Sequence, residues 1–173
     1  MSIKQDNQSL NSSITEIEQY LSFIMDKEEY AIGILSVREI RGWEPVTPIP
    51  KTPKYVKGFI NLRGTVVPII DLRERFGLES VEYSDTTVVI ILNAHDGNGQ
   101  DSLVGIIVDA VSEVYDIKRS EIRNSPNLGS HIDTRFIMGI VEVNEKMVIL
   151  TEVDTLLDTN DLFTNEAIAT SIQ

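Results

Sequence analysis

Residues 55–78 read YVKGFINLRGTVVPIIDLRERFGL, and the fold class follows from them. Phe59, Ile60 and Leu62 form one apolar run; Val66, Val67, Ile69 and Ile70 form a second, strongly β-prone one. Arg63-Gly64 between them is a turn signal, because glycine takes a positive φ without steric cost. The stretch therefore predicts a tight strand-turn-strand. Pro68 has no amide donor for a sheet ladder, so the second strand is expected at an edge or bulged there. Asp71 followed by Glu74 is a capping-box pattern that opens a short helix, and Gly77 is placed to close it. Arg63 is the odd residue. The turn does not require a charge, and propensity leaves open a solvated loop cation or a recognition residue.

Working upstream, Ile17, Leu21, Phe23 and Met25 share one parity, and Tyr30 to Leu35 follows a polar turn, Asp26-Lys27-Glu28-Glu29. This predicts a hairpin. Ser36 with Glu39 resembles a second capping box, so a helical turn is expected over Val37–Arg41, ending at Gly42. On such a turn Val37 and Ile40 are open to either core or contact roles. Pro45, Pro48, Pro50 and Pro53 exclude a helix and predict a stiff extended crossing segment. Trp43 and Tyr55 bracket it, suited equally to an interface or to covering the core edge.

Downstream, Thr86–Leu92 and Leu103–Val108 are apolar on both parities and read as buried strands, with Asn93–Ser102 as a loop between them. Asp109 is expected to cap a short turn through Val114. Tyr115–Arg123 alternates weakly, and Asn124–Thr134 reads as loop. Phe136–Val143 and Lys146–Leu150 pair around Asn144-Glu145, and Thr151 with Asp154 predicts a last short helix through Leu157.

The two halves of the chain match. Tyr55-Val56-Lys57-Gly58-Phe59-Ile60 aligns with Phe136-Ile137-Met138-Gly139-Ile140-Val141. Continuing without a gap, Val66–Ile69 meets Met147–Leu150, Leu72 meets Val153 and Phe76 meets Leu157. Upstream, Ile32-Gly33-Ile34 resembles Val104-Gly105-Ile106, and Val37–Ile40 resembles Val111–Val114. Such a repeat indicates two copies of one small unit rich in short strands. The expectation is an all-β protein of two small packed barrels, each copy ending in a short capped helix. Strands can be exchanged between the barrels, so sequence halves need not equal spatial halves. The expected division is a flexible segment over 1–15, a folded region over 16–158 and a flexible acidic tail over 159–173. Within the folded region, the first copy covers about 16–84 and the second about 85–158. Arg63 aligns with Asn144, so its charge belongs to the first copy alone.

Composition narrows function by exclusion. The chain has 173 residues, a net charge of −12 and no cysteine. A nucleic-acid partner would need a basic footprint, and an anionic membrane surface would repel this charge. Disulfides, thiolate metal sites and cysteine nucleophiles are excluded. The start of the chain lacks the apolar core of a secretory signal, and no apolar run approaches membrane-spanning length, so a cytoplasmic location is expected. His95 and His131 lack a second histidine at zinc spacing. Asp96, Asn98 and Gln100 begin like a calcium loop, but Asp101 stands where glycine is required and Ile107 where the bidentate glutamate belongs. Gly97-Asn98-Gly99 leads into Ser102 and a strand, which rules out a dinucleotide fingerprint. No nucleophile elbow or P-loop is present. No cofactor is expected. A small-ligand- or saccharide-binding barrel remains the alternative from another class.

KYVKGFINLRGTVVPIIDLRERF, preceded by ILSVREIRGWEPVTPIP and followed by LVGIIVDAVSEVYDI, resembles the CheW family of bacterial chemotaxis adaptors. The resemblance covers about Glu18 to Leu157. The resemblance is accordingly expected to be to CheW rather than to the adaptor–receiver fusion CheV or the kinase CheA. The resemblance implies two SH3-like five-stranded β-barrels and no catalysis. It implies a scaffold that bridges the cytoplasmic tip of methyl-accepting chemoreceptors to the regulatory domain of the histidine kinase CheA, recruited to membrane-associated receptor arrays without inserting in the membrane. It places Val37, Glu39, Ile40, Gly58, Arg63 and Val88 at or near the receptor contact, in the groove between the barrels. It leaves the kinase contacts unassigned, with an end of the second copy as the expected region.

Overall fold

A computed structural model describes residues 16–95, 100–124 and 134–157. The two expected flexible ends, His131 and most of the Asn124–Thr134 loop lie outside them. Ten strands and two one-turn helices are described. The strands of the first half are β1 (Ile17–Met25), β2 (Glu28–Gly33), β3 (Val37–Gly42), β4 (Val56–Leu62) and β5 (Thr65–Asp71), followed by α1 (Leu72–Arg75). Then come β6 (Val88–His95), β7 (Asp101–Val108), β8 (Ala110–Lys118), β9 (Ile137–Val143), β10 (Lys146–Thr151) and α2 (Val153–Leu156).

The strands form two five-stranded sheets, ordered β8-β1-β2-β10-β9 and β3-β6-β7-β5-β4. Replacing each strand of one sheet by its repeat partner yields the other. The repeat is thus visible in topology, but each sheet mixes strands from both sequence halves. β6 and β7 of the second half complete the sheet of β3, β4 and β5, with β5 and β7 running parallel. β2 and β10 make the matching parallel pair in the other sheet.

Each sheet closes on itself by one bridge from the chain leaving its first strand. Thr47 and Phe59 exchange backbone hydrogen bonds of 3.1 and 2.9 Å. Arg123 and Ile140, at the matching place, exchange two of 2.8 Å. The preceding residue is glycine in both copies. A Cβ at Gly58 would lie 2.1 Å from the Thr47 carbonyl oxygen, and its φ of +152° is one side chains rarely adopt. A Cβ at Gly139 would lie 2.6 Å from Ile122 Cγ2 and 2.8 Å from the Arg123 oxygen. Only glycine lets the closing segment come this near. The proline segment around Thr47 is therefore a barrel-closing strap.

Three apolar clusters fill the molecule. Tyr20, Ala31, Ile117, Val141, Val148 and Leu150 occupy one barrel. Val67, Ile69, Val89, Ile91 and Ile107 occupy the other, with Trp43 and Tyr83 over the mouth. The largest cluster lies between the barrels and includes Phe23, Tyr30, Ile70, Phe76, Ile90, Leu92, Ile106 and Phe136. β6 and β7 thus bury both faces, which explains their unbroken apolar runs. Phe23, Tyr30, Phe76 and Phe136 form a chain of ring contacts at 5.7–5.8 Å that ties the two halves together. The Arg75 guanidinium lies over both Tyr55 and Phe136, repeat partners of each other, 4.8 Å from each centroid. Trp43 packs on Tyr83 at 4.2 Å, so it covers a core edge.

The cap at Asp71 forms as its sequence predicts. Its Oδ1 accepts from the Glu74 amide at 3.3 Å, and Gly77 adopts a φ of 79° beyond the helix. Only half of the capping box is used, because Glu74 turns to Lys57 at 2.7 Å and accepts from the Ser80 hydroxyl at 2.6 Å. The other Asp71 oxygen accepts from the Tyr83 hydroxyl at 2.7 Å. Burial, reinforced by that carboxylate, pushes the Tyr83 hydroxyl well above its ordinary pKa.

Five local expectations are corrected. Val37–Arg41 is strand β3 rather than a helical turn, because pairing with β6 gives Val37, Glu39, Ile40 and Arg41 a ladder that one isolated turn lacks. Asp109 caps no turn. β8 starts beside it, and its carboxylate accepts from Arg73 Nε at 2.9 Å and from the Asp26 amide at 3.0 Å. Pro68 lies on an internal strand, one residue before the β5–β7 ladder begins at Ile69, so its missing donor costs nothing on that side. The bulge of that hairpin falls between Val56 and Gly58 instead. At the last helix the N-cap is Glu152, with no side-chain cap, while the Thr151 hydroxyl donates to the Ala31 carbonyl. Asn93–His95 and Asp101-Ser102 extend β6 and β7, so the connection between them is shorter than its polar composition suggests.

Candidate functional site

β3 is the first strand of its sheet, and it carries three of the six expected contact residues. Val37 sits opposite Leu92, Glu39 opposite Ile91 and Ile40 opposite Ile90. Arg38 is the extra residue of a bulge between Val37 and Glu39. The bulge has a specific consequence. In a regular strand, residues three apart face opposite ways. Here Val37 and Ile40 share the face of Leu92 and Ile90, which belongs to the central core. Val88, opposite Gly42 on β6, is the diagonal neighbour of Ile40 on that face. Val37 and Val88 are half-buried against the central core, and Ile40 is 47% exposed. The central core therefore reaches the surface as an apolar strip along the β3–β6 edge.

Glu39 lies on the other face, with oxygens 3.7 Å from Arg41 Nε and 3.7 Å from an Arg63 terminal nitrogen. Arg63 occupies the β4–β5 turn with a φ of 51°, the same value as Asn144 in the repeat-equivalent turn. A left-handed φ suits asparagine and not arginine, so the turn tolerates Arg63 rather than selecting it. Its side chain is 84% exposed, which makes the ion pair to Glu39 weak. Val37, Glu39 and Arg63 border one shallow depression of about 370 Å³ together with Arg38, Leu62, Thr65 and Leu103. It runs into an open groove of about 650 Å³ that shares Arg38, Thr65 and Leu103 and continues over Val66 and Pro68.

Five of the six expected residues thus lie along β3, β6 and the β4–β5 turn. Gly58 stands apart, buried in β4 beneath Thr47, where barrel closure accounts for it. The residues that sequence reading did not single out are Arg38, Leu62, Thr65 and Leu103. Leu62 and Thr65 flank the Arg63 turn and were findable by adjacency. Leu103 reaches the site only because β7 joins this sheet. Among the described residues no group of three His, Asp or Glu gathers to hold a metal ion, and no helix is long and apolar enough to cross a membrane. His95 Nδ1 lies 2.5 Å from Asp101 on the rim.

The family model for the CheW-like domain matches residues 19–161. The chain belongs to the CheW-like family. It is 41% identical over 154 residues to the chemotaxis protein CheW of Klebsiella aerogenes, covering 89% of this chain and 90% of that one. CheW of Bacillus subtilis is 34% identical, with 86% and 92% covered. The crystal structure of the scaffolding protein TtCheW from Thermoanaerobacter tengcongensis superposes with a TM-score of 0.73 at 35% identity, covering 83% of this chain and 94% of that one. CheW-like membership carries the fold of two SH3-like barrels and makes the chain a non-catalytic scaffold of chemotaxis signalling.

Proposed function

We propose that the β3–β6 edge is the receptor-docking face of this CheW-like scaffold. On this reading the chain couples the cytoplasmic tip of methyl-accepting chemoreceptors to the regulatory domain of the kinase CheA, in the cytoplasm, within receptor arrays. The observation that carries it is the apolar strip Val37–Ile40–Val88 running beside the Arg63 pocket. An amphipathic helix docks by seating apolar side chains in such a groove, with charge at its rim. The kinase domain is assigned to another surface, at an end of the second copy.

A small-ligand or saccharide barrel fits less well. Both barrel interiors are filled by their own side chains, and the mouth lined by Arg41, Val46, Ile60 and Val89 holds about 100 Å³. That is well under the ~300 Å³ at which small-molecule sites begin, and the larger depressions beside Arg38 are open grooves rather than enclosing cavities. The deciding experiment is a pull-down of a receptor cytoplasmic fragment by wild type and by Ile40→Asp, beside a thermal-shift panel of metabolites. Capture by wild type and loss in Ile40→Asp are expected. A strong metabolite shift without receptor capture would reverse the assignment.

A further inference from the structure

We propose that Arg38 is a specificity-determining cation of the docking face, and that the helix it reads carries a carboxylate beside its apolar docking side chain. The inference rests on the receptor-docking reading and adds the partner's chemistry to it.

Arg38 is the inserted residue of the β3 bulge, and bulges re-aim a side chain out of the regular alternation. It is exposed, and among the described residues it makes no hydrogen bond or ion pair. The acids around it are already engaged. Glu39 faces Arg41 and Arg63, and Asp101 faces His95. Arg38 borders both depressions of the face, so a segment lying along the strip passes it whichever way it runs. Its repeat partner is Ser112, as that of Arg63 is Asn144. Arg38 and Arg63 are therefore additions to the first copy, absent from the same backbone in the second.

Charge makes this informative. The chain carries −12 and repels acidic partners at long range. Screening confines that repulsion to about 8 Å at physiological salt, within which the nearest charges decide. Two guanidiniums beside the apolar strip, one of them unpaired, form a local exception that favours a carboxylate. Arginine can take that carboxylate with two parallel hydrogen bonds. A basic or neutral apolar helix would leave Arg38 desolvated and unmatched.

The test uses the full chain as wild type, Arg38→Ala and Arg38→Lys, all expected to melt alike because the side chain is exposed. One arm titrates a chemoreceptor cytoplasmic-tip fragment at two salt concentrations. The other titrates two synthetic amphipathic helices that differ only in Glu or Gln beside the central leucine. Arg38→Ala is expected to bind the receptor fragment about 5- to 30-fold more weakly, with a shallower salt dependence, and Arg38→Lys to recover part of the loss. The Glu helix should outcompete the Gln helix on wild type but not on Arg38→Ala. Equal receptor binding by wild type and Arg38→Ala overturns the role of Arg38 while leaving the docking reading intact. Glu-helix preference without receptor binding overturns the docking reading but keeps the carboxylate site. Failure of both arms removes both.

Discussion

The β3 and β8 edges are the same object built twice. Each is the first strand of its sheet, and each bears one extra residue at the same point of its pairing. Val37 and Ile40 face Leu92 and Ile90 across β6, and Val111 and Val114 face Phe23 and Leu21 across β1. Val114 is 49% exposed, close to the 47% of Ile40. The decoration differs. Around β3 stand Arg38, Arg41 and Arg63, with Val88 continuing the apolar strip. Around β8 the matching places hold Ser112 for Arg38, Asn144 for Arg63 and Gln19 for Val88, and Gln19 is tied to Asp116 at 3.1 Å. An exposed apolar pair is therefore what the shared backbone produces, and it does not by itself mark a docking face. On the proposed docking reading the cations and the extra valine do, and function is grafted on one of two equivalent scaffolds.

That comparison can be broken at four points, from the largest expected effect to the smallest. Gly58→Val pushes a side chain into the Thr47 carbonyl at a backbone angle side chains avoid, so a loss of about 4 kcal/mol or more is expected, enough to lower Tm by ~8–16 °C. Gly139→Val should cost less, since its backbone oxygen neighbour lies at 2.8 Å rather than 2.1 Å and its φ is not in the left-handed region. Equal thermal shifts in the two variants would show that the two closures are not different in stringency. A melting temperature unchanged by Gly58→Val would remove the strap from the account.

Arg63→Glu tests the decoration. It should weaken receptor-fragment binding by about 2–4 kcal/mol, or roughly 30- to 1000-fold, while the fold and the titration against the CheA regulatory domain stay unchanged. Val114→Glu on the matching edge should leave receptor binding alone. If the two substitutions hurt receptor binding alike, the edges are functionally equivalent. If Arg63→Glu loses both partners while folded, the two-surface arrangement is wrong.

Glu74 separates the copies by pH, because Thr155 holds its place in the second. Burial raises the Glu74 carboxyl, but hydrogen bonds from Lys57 and Ser80 outweigh it and leave the pKa below the ordinary 4.5. A carboxyl lowered in the folded state contributes stability above about pH 4.5, and this is lost as pH falls through the lowered value. Glu74→Gln should cost about 1–2 kcal/mol at pH 7, with the gap to wild type closing in acid. A gap that holds constant down to the acid transition would assign the loss to packing.

Arg63→Asn is the subtlest change, converting the first turn into the second. Stability should move by no more than about 0.5 kcal/mol, and in the favourable direction, since asparagine accepts the φ of 51° better than arginine does. Receptor binding should still fall. Denaturant melts beside the receptor titration check both, and a destabilised variant would mean that Arg63 supports the turn.

Much of this protein is determined by sequence alone, wherever the physics is local. The left-handed turns at Arg63-Gly64 and Asn144-Glu145, the cap at Asp71, the glycine after α1 and the both-face burial of β6 and β7 follow from residues within a few positions of each other. The repeat marks two copies because it compares the chain with itself. Tertiary structure decided what depends on distant partners. Val37-Arg38-Glu39-Ile40 has the spacing of a helical face, yet it is a strand, because β6 supplies a ladder and the bulge at Arg38 reproduces the three-residue spacing in extended form. Asp109 looked like a cap until Arg73 and the Asp26 amide claimed its carboxylate. The assignment of β6 and β7 to the sheet of β3, β4 and β5 brings Leu103 beside Arg63, and no local pattern encodes it. An extended backbone satisfies only half its hydrogen-bonding groups per neighbour, so a strand's place and its exposed residues are set by which strands lie beside it.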